Sequence, residues 1–265
     1  MKLIRQRTAF PPVPTGRPCW PGLYLGAGPY GPVCAGPERA ALILGPPRSG
    51  KTTSIVAPVV LSAPGAVVST STKTDVLEIT AHARAHRGRV WLFDPSGTLP
   101  VPSGATALHW SPVTGCEDWD VATATAHALV RAARPGVGTE HAAHWTERAQ
   151  ALLAPLLHAA AIFDKDLTWV LRWVQRHELV EPLGILARYA DEIPADTLVS
   201  IANTEERERS SIFSTAAGIL AAYRSPAALD QARHPNFDPA TFVASADTVY
   251  ICLLYTSPSP RDRQK

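Results

Sequence analysis

Residues 41–52 read Ala41-Leu42-Ile43-Leu44-Gly45-Pro46-Pro47-Arg48-Ser49-Gly50-Lys51-Thr52. From Gly45 to Thr52 the stretch matches GxxxxGK[ST] at every fixed position, and each fixed residue type has a physical task in that pattern. Gly45 and Gly50 permit backbone angles that turn successive N–H groups inward around an anion. Lys51 reaches β- and γ-phosphate oxygens, and the Thr52 hydroxyl is placed to ligand a nucleotide-bound Mg²⁺. The apolar run Ala41–Gly45 predicts a buried strand leading into the loop. Lys51–Leu61 predicts a helix whose positive end faces the same anion. Pro58 within it predicts an early end or a kink. The candidate nucleotide-binding residues are therefore Gly45, Pro46, Pro47, Arg48, Ser49, Gly50, Lys51, Thr52 and Thr53. Lys51 and Thr52 are also candidate catalytic residues, and ATP and Mg²⁺ are the expected cofactors.

The pattern continues outward. Ala66–Ser71 (AVVSTS) predicts a second buried strand, Asp75–His86 a helix with an acidic start and a basic end, and Val90–Asp94 (VWLFD) a third strand. That helix polarity suits the macrodipole. Strand, helix, strand, helix, strand predicts an α/β fold with a parallel sheet flanked by helices. The rhythm then changes. Residues 120–133, 140–163, 167–177, 180–189, 195–203 and 205–223 all predict helix, and Asp247–Cys252 (DTVYIC) returns to a strand pattern. The expected organisation is a Pro/Gly-rich segment 1–39, with loop or an edge hairpin and strands around Tyr24. A nucleotide-binding α/β domain follows at 40–115 and 235–252, interrupted by an all-α insertion at 116–234, and a tail closes the chain at 253–265.

Composition removes several classes. The 265 residues are 46% hydrophobic with a net charge of +2, which argues against binding to nucleic acid by bulk positive charge but leaves a basic groove open. The tail Leu253–Lys265 (LLYTSPSPRDRQK) breaks with the Ala-rich composition before it and reads as non-native read-through or a disordered tail; it carries the whole net charge. The longest apolar stretches, 55–68 and 151–163, are shorter than the roughly 20 residues of a membrane helix and contain prolines. No apolar core follows the basic N-terminus, so no signal peptide is expected. Cys19, Cys34, Cys116 and Cys252 are far apart, which argues against a zinc site or a disulfide framework and favours a reducing, cytoplasmic setting. His141, His144 and His158 lack a further ligand at metal spacing. The tryptophans of the helical region, among them Trp119, Trp145, Trp169 and Trp173, read as core or interface.

Hydrolysis would require an acidic residue at a strand end to hold Mg²⁺ and polarise water. Asp94, closing VWLFD, has that form and is a candidate catalytic residue, although Pro95-Ser96-Gly97 follows it where a Glu is usual.

Four segments within residues 41–252 resemble the type IV coupling proteins, the TraD/TraG group of conjugative DNA-transfer ATPases related to the FtsK/HerA translocases. They are GPPRSGKTTSIVAP (45–58), AVVSTSTKTDVLEITAHARAHRGRVWLFDPSG (66–97), HWTERAQALLAPLLHAAA (144–161) and RERSSIFSTAAGILAAY (207–223). The resemblance implies a RecA-like P-loop NTPase fold with an inserted all-α subdomain, assembled as a hexameric ring that drives single- or double-stranded DNA towards a secretion channel. It implies relaxosome or secretion-substrate proteins as partners of the all-α part, and a place in the cytoplasm or at the cytoplasmic face of the inner membrane. It puts Lys73 and Asp75 on the family's charged turn near the nucleotide, and Arg207 and Arg209 towards a neighbouring subunit or DNA. Read from the residues alone, Asp75 is equally a helix cap, and the two arginines a solvated helix face. The sequence departs from the family in lacking N-terminal membrane helices, and the second acidic motif and arginine finger expected beyond Cys252. It is therefore read as truncated at its C-terminus. Two other readings stand beside the motor: a non-catalytic nucleotide-binding and docking module, and another P-loop translocase or small-molecule kinase.

Overall fold

The computed structural model describes residues 22–133 and 140–253. The chain divides into two units: one takes in residues up to Leu108 and from Asp238 onwards, and the other is His109–Phe237.

In the first unit, β1 (Leu23–Gly28) and β2 (Gly31–Ala35) form an antiparallel hairpin. A four-stranded parallel sheet follows, built from β3 (Val67–Ser71), β4 (Val90–Phe93), β5 (Ala105–Ala107) and β6 (Thr248–Cys252) in the spatial order β3-β6-β4-β5. Its flanking helices include α1 (Ala57–Ser62) and α2 (Asp75–Ala85). The architecture is α/β, as the strand-helix alternation predicts. The last strand among the described residues lies in the middle of the sheet. Val67 and Val90 both register with Thr248, so β6 occupies the slot that β3 and β4 leave between them. It is accordingly buried along nearly its whole length, as is β4, whereas the edge strand β3 alternates half-buried and exposed.

Two expectations fail here. Ala41–Gly45 is not a strand: no ladder pairs it among the described residues, and Leu42 and Leu44 are 84% and 83% exposed. An apolar run becomes a buried strand only where a neighbouring strand offers its edge, and none of the four parallel strands registers with it. The cysteine reading also needs correction, because Cys34 is disulfide-bonded while Cys116 and Cys252 are free. Spacing along the chain sets no limit on the distance between two thiols in space.

The sheet is fastened by a buried cation that composition did not reveal. Arg84, on α2, is 1% exposed. Its Nε donates to Thr248 Oγ1 (2.6 Å), Nη1 to Ala63 O (2.6 Å), and Nη2 to Gly65 O (2.9 Å) and Ala246 O (2.8 Å). Burial and the neighbouring Arg87 press its pKa down, yet a guanidinium stays charged across the accessible range. Beside it, Asp247 accepts from Arg89 N (2.8 Å) and Trp91 Nε1 (3.1 Å), and Tyr250 Oη lies 2.6 Å from Thr80 Oγ1. A Cβ at Gly88 would lie 2.6 Å from Ala246 O, so only glycine lets the chain pass there.

The second unit is helical: α3 (Trp119–Ala133), α4 (Glu140–Ile162), α5 (Leu167–Arg176), α6 (Val180–Tyr189), α7 (Glu192–Ala202), α8 (Glu206–Ile219) and α9 (Pro226–Gln231). Its centre is α4, which packs on α3, α5, α6, α7 and α8. Residues 152–160 of α4 are buried without a break, the mark of a helix enclosed on all sides. Pro155 lies inside this helix, tolerated where close packing offsets the lost hydrogen bond. Both ends of the unit are clasped by Asn236, whose N–H donates to His109 O (3.0 Å) and whose Oδ1 accepts from His109 N (2.9 Å). The base of α5 is a charge-aromatic cluster. Lys165 Nζ sits 3.3 Å from the Trp169 ring centroid and 3.2 Å from Glu181, which also accepts from Trp173 Nε1 (2.9 Å). A short α10 (Pro239–Val243), capped by Asp238, leads back to β6.

Two substitutions test the fastening. Arg84→Leu leaves the Gly65 and Ala246 carbonyls and the Thr248 hydroxyl without the bonds it supplies, while Ala63 O keeps its bond from Arg87 (3.0 Å), and is expected to lower unfolding free energy by about 3–5 kcal/mol. Gly88→Ala is expected to cost about 1–3 kcal/mol through displacement of the Ala246 carbonyl. Both are read from urea midpoints, and wild-type midpoints for either would contradict the arrangement.

Candidate phosphate-binding site

Between Gly45 and Gly50 the chain curls into an exposed loop. Ser49 N donates to Pro46 O (3.4 Å) and closes a turn. Arg48 (φ +64°) and Gly50 (φ +83°) are both in the left-handed region, and Gly50 permits the second at no steric cost. Gly45 packs closely on the same turn: a Cβ there would lie 2.9 Å from Ser49 Oγ, which would have to swing aside. Lys51 folds back over the loop. Its Nζ donates to Gly45 O (2.7 Å) and Pro46 O (2.7 Å), with Ser49 Oγ at 3.4 Å. The helix begins at once: Ser54 N donates to Gly50 O (2.8 Å), and Thr53 Oγ1 to the same carbonyl (3.2 Å).

The first turn of that helix is wide. Residues Thr52–Val56 have π geometry, with Ala57 N bonded to Thr52 O, before α1 continues in ordinary α form. The signal for this was Pro58. It has no N–H to donate, and its ring crowds the carbonyl four residues back, at Ser54.

Asp94 stands just beyond β4 and is 7% exposed. Its Oδ1 accepts from Ser96 N (2.9 Å) and Ser96 Oγ (2.5 Å), and its Oδ2 from Thr98 N (2.7 Å) and Leu99 N (2.7 Å). Burial alone would raise its pKa. The hydrogen bonds from Ser96, Leu99 and Thr98 outweigh it and hold the carboxyl below the usual range. Both oxygens are thus occupied in shaping the Asp94–Leu99 turn. Phe93 registers with Ile251, which brings Asp94 beside Cys252, and that thiol is pushed up by burial and then by the Asp94 charge.

Lys73 is exposed, its N–H bonded to Ser71 Oγ (3.0 Å). The N-cap of α2 is Thr74, not Asp75, with Thr74 Oγ1 reaching Glu78 (2.6 Å); Asp75 sits in the first turn and accepts from Val76 N (2.9 Å). Arg207 and Arg209 belong to the helical unit. Arg207 is exposed, whereas Arg209 donates to Ala202 O (2.7 Å) and so finishes α7. His158 is buried against Cys116 O (2.7 Å) and Trp119, and the described residues hold no metal-binding cluster. The side chain of His141 lies outside them.

The family model for type IV secretory system conjugative DNA transfer matches residues 6–257. The chain belongs to this family. It is a conjugative DNA-transfer protein of type IV secretion, and the matched span takes in the loop, α2, β4, the helical unit and β6. A search of curated proteins returned no match. Among the described residues, no helix is long and apolar enough to cross a membrane.

The Asp94 geometry has a pH signature. Its carboxyl titrates lower in the fold than in the unfolded chain. Its stabilisation is therefore complete above about pH 4 and fades as pH falls through the folded value. Asp94→Asn is expected to be less stable than wild type at pH 7 by about 1–3 kcal/mol. The gap should close in acid, and a gap constant with pH in denaturant titrations would contradict the turn-forming role.

Proposed function

We propose that Gly45–Thr52 binds the phosphates of ATP and that the protein is the nucleotide-binding part of a DNA-transfer motor. The observation that carries this reading is the posture of Lys51. A flexible cation lies inside its own loop, satisfied by carbonyls that an incoming phosphate would replace. The curled backbone around Gly50 and the helix that starts beside it are what phosphate oxygens require. The residues present suit Mg²⁺ as well, since the Thr52 hydroxyl follows the lysine directly. When bound with ATP, the ion would neutralise charge between β- and γ-phosphates. The chain's own part is then to hold the phosphates with Lys51 and the loop amides and to orient them with Thr52. Coupling of nucleotide turnover to DNA movement in a hexameric ring, with secretion substrates docked on the helical unit, completes the motor reading.

A second reading, nucleotide binding without turnover by this chain, is favoured by Asp94. A carboxylate accepting four hydrogen bonds from its own turn is poorly placed to hold an ion or polarise water.

Both readings predict that Lys51→Ala weakens ATP binding by about 100-fold in a fluorescent-nucleotide titration. Phosphate release measured with and without DNA separates them. DNA-stimulated turnover supports the motor, and tight binding with no release supports the docking module. Wild-type protein that binds no nucleotide sinks both.

A further inference from the structure

Pro58 is the residue of the phosphate-loop helix that the proposed function leaves without a task. In α1, Ala57, Pro58 and Val60 are buried and fix the body of the helix against its surroundings. An unbroken α-helix extended backwards would place residues three and four before Ala57 on the same buried side. Those residues are Thr53 and Ser54, and both are exposed; Lys51 and Thr52 are the half-buried pair instead. The Ala57 N–H is bonded to Thr52 O, five residues back. The wide turn therefore changes the phase of the loop end against the helix body. It turns the consecutive Lys51 and Thr52 inward where a regular helix would present Thr53 and Ser54.

The wide turn has a local cause. With no N–H at Pro58 and its ring against the Ser54 carbonyl, the ordinary i→i−4 ladder is not available at that point. The i→i−5 bond from Ala57 is the ladder that remains.

From this geometry we infer that Pro58 is a positioning residue: by forcing the π-turn it aims the Thr52 hydroxyl, and with it the Mg²⁺-dependent part of nucleotide binding. The inference rests on the nucleotide reading above. Pro58→Ala supplies the missing N–H and lets Thr52–Val56 relax to α form, which rotates Thr52 outwards. Alanine is the better helix former, so the variant is expected to fold with a wild-type or higher unfolding midpoint.

The test is a nucleotide titration on the full chain, with ATP in Mg²⁺ and with ATP in EDTA. The inference predicts that Pro58→Ala weakens binding about tenfold in Mg²⁺ and less than about twofold in EDTA. A merely structural role would move both together. Thr52→Ala closes the cycle: it should remove the Mg²⁺ increment in wild type and change nothing further beside Pro58→Ala. Equal Mg²⁺ increments in wild type and Pro58→Ala, or additive losses in the double variant, overturn the inference and leave the nucleotide reading standing. Wild-type protein that binds ATP in neither condition overturns the nucleotide reading itself and this inference with it.

Discussion

One guanidinium holds the α/β unit together. Arg84 sits where three strands begin and where the chain returns after the helical unit. It donates to carbonyls at 63, 65 and 246 and to the Thr248 hydroxyl. Each of those carbonyls lies at a strand entrance, where ladder bonding has not yet begun and burial would otherwise leave oxygens unpaired. A planar fork of five N–H donors can satisfy all four acceptors at once, whereas an ammonium has only three. Asp247 then sets the entry of β4 through Arg89 and Trp91, and Gly88 makes the close passage possible. The order β3-β6-β4 follows from this junction, because Arg84 and Asp247 bind the start of β6 to both its neighbours.

What was legible in the sequence was local. Helices α3 to α8 of the second unit are legible in the sequence, whereas the short α9 is not, and the apolar stretch 151–163 falls in the enclosed α4. The strands at 67–71, 90–93 and 248–252 also read correctly, because short runs rich in β-branched or aromatic residues between helices have few alternatives. What was not legible depended on partners. The apolar run at 41–45 has strand composition but no strand to pair with among the described residues. The three residues of β5 lack any pattern of their own and become a strand by lying beside β4. Arg84 looked like one more basic residue near the end of a helix.

The loop at 45–52 shows the same division. Its residue types form a local pattern, so Gly45, Gly50, Lys51 and Thr52 could be picked out as candidates from spacing. The conformation of Lys51 and the widened first turn are outcomes of packing and of a proline six residues on. Asp94 shows the opposite case. Its place at the end of an apolar strand suggested ion binding, whereas its oxygens are taken by Ser96, Thr98 and Leu99. A strand-end aspartate followed by Pro-Ser-Gly is as well suited to closing a turn as to chemistry.

The central position of β6 has a consequence for synthesis on the ribosome. β3, β4 and β5 are complete by Ala107, but the strand that joins β3 to β4 begins only at Thr248. At ribosomal rates, roughly ten seconds separate the two events. During that interval β3 and β4 each have an edge with nothing beside it, while the helical unit emerges with its full complement of local contacts. The nascent chain thus completes its inserted unit before the unit that contains it. Those open strand edges are the period in which this protein is most exposed to mispairing and most dependent on holding factors.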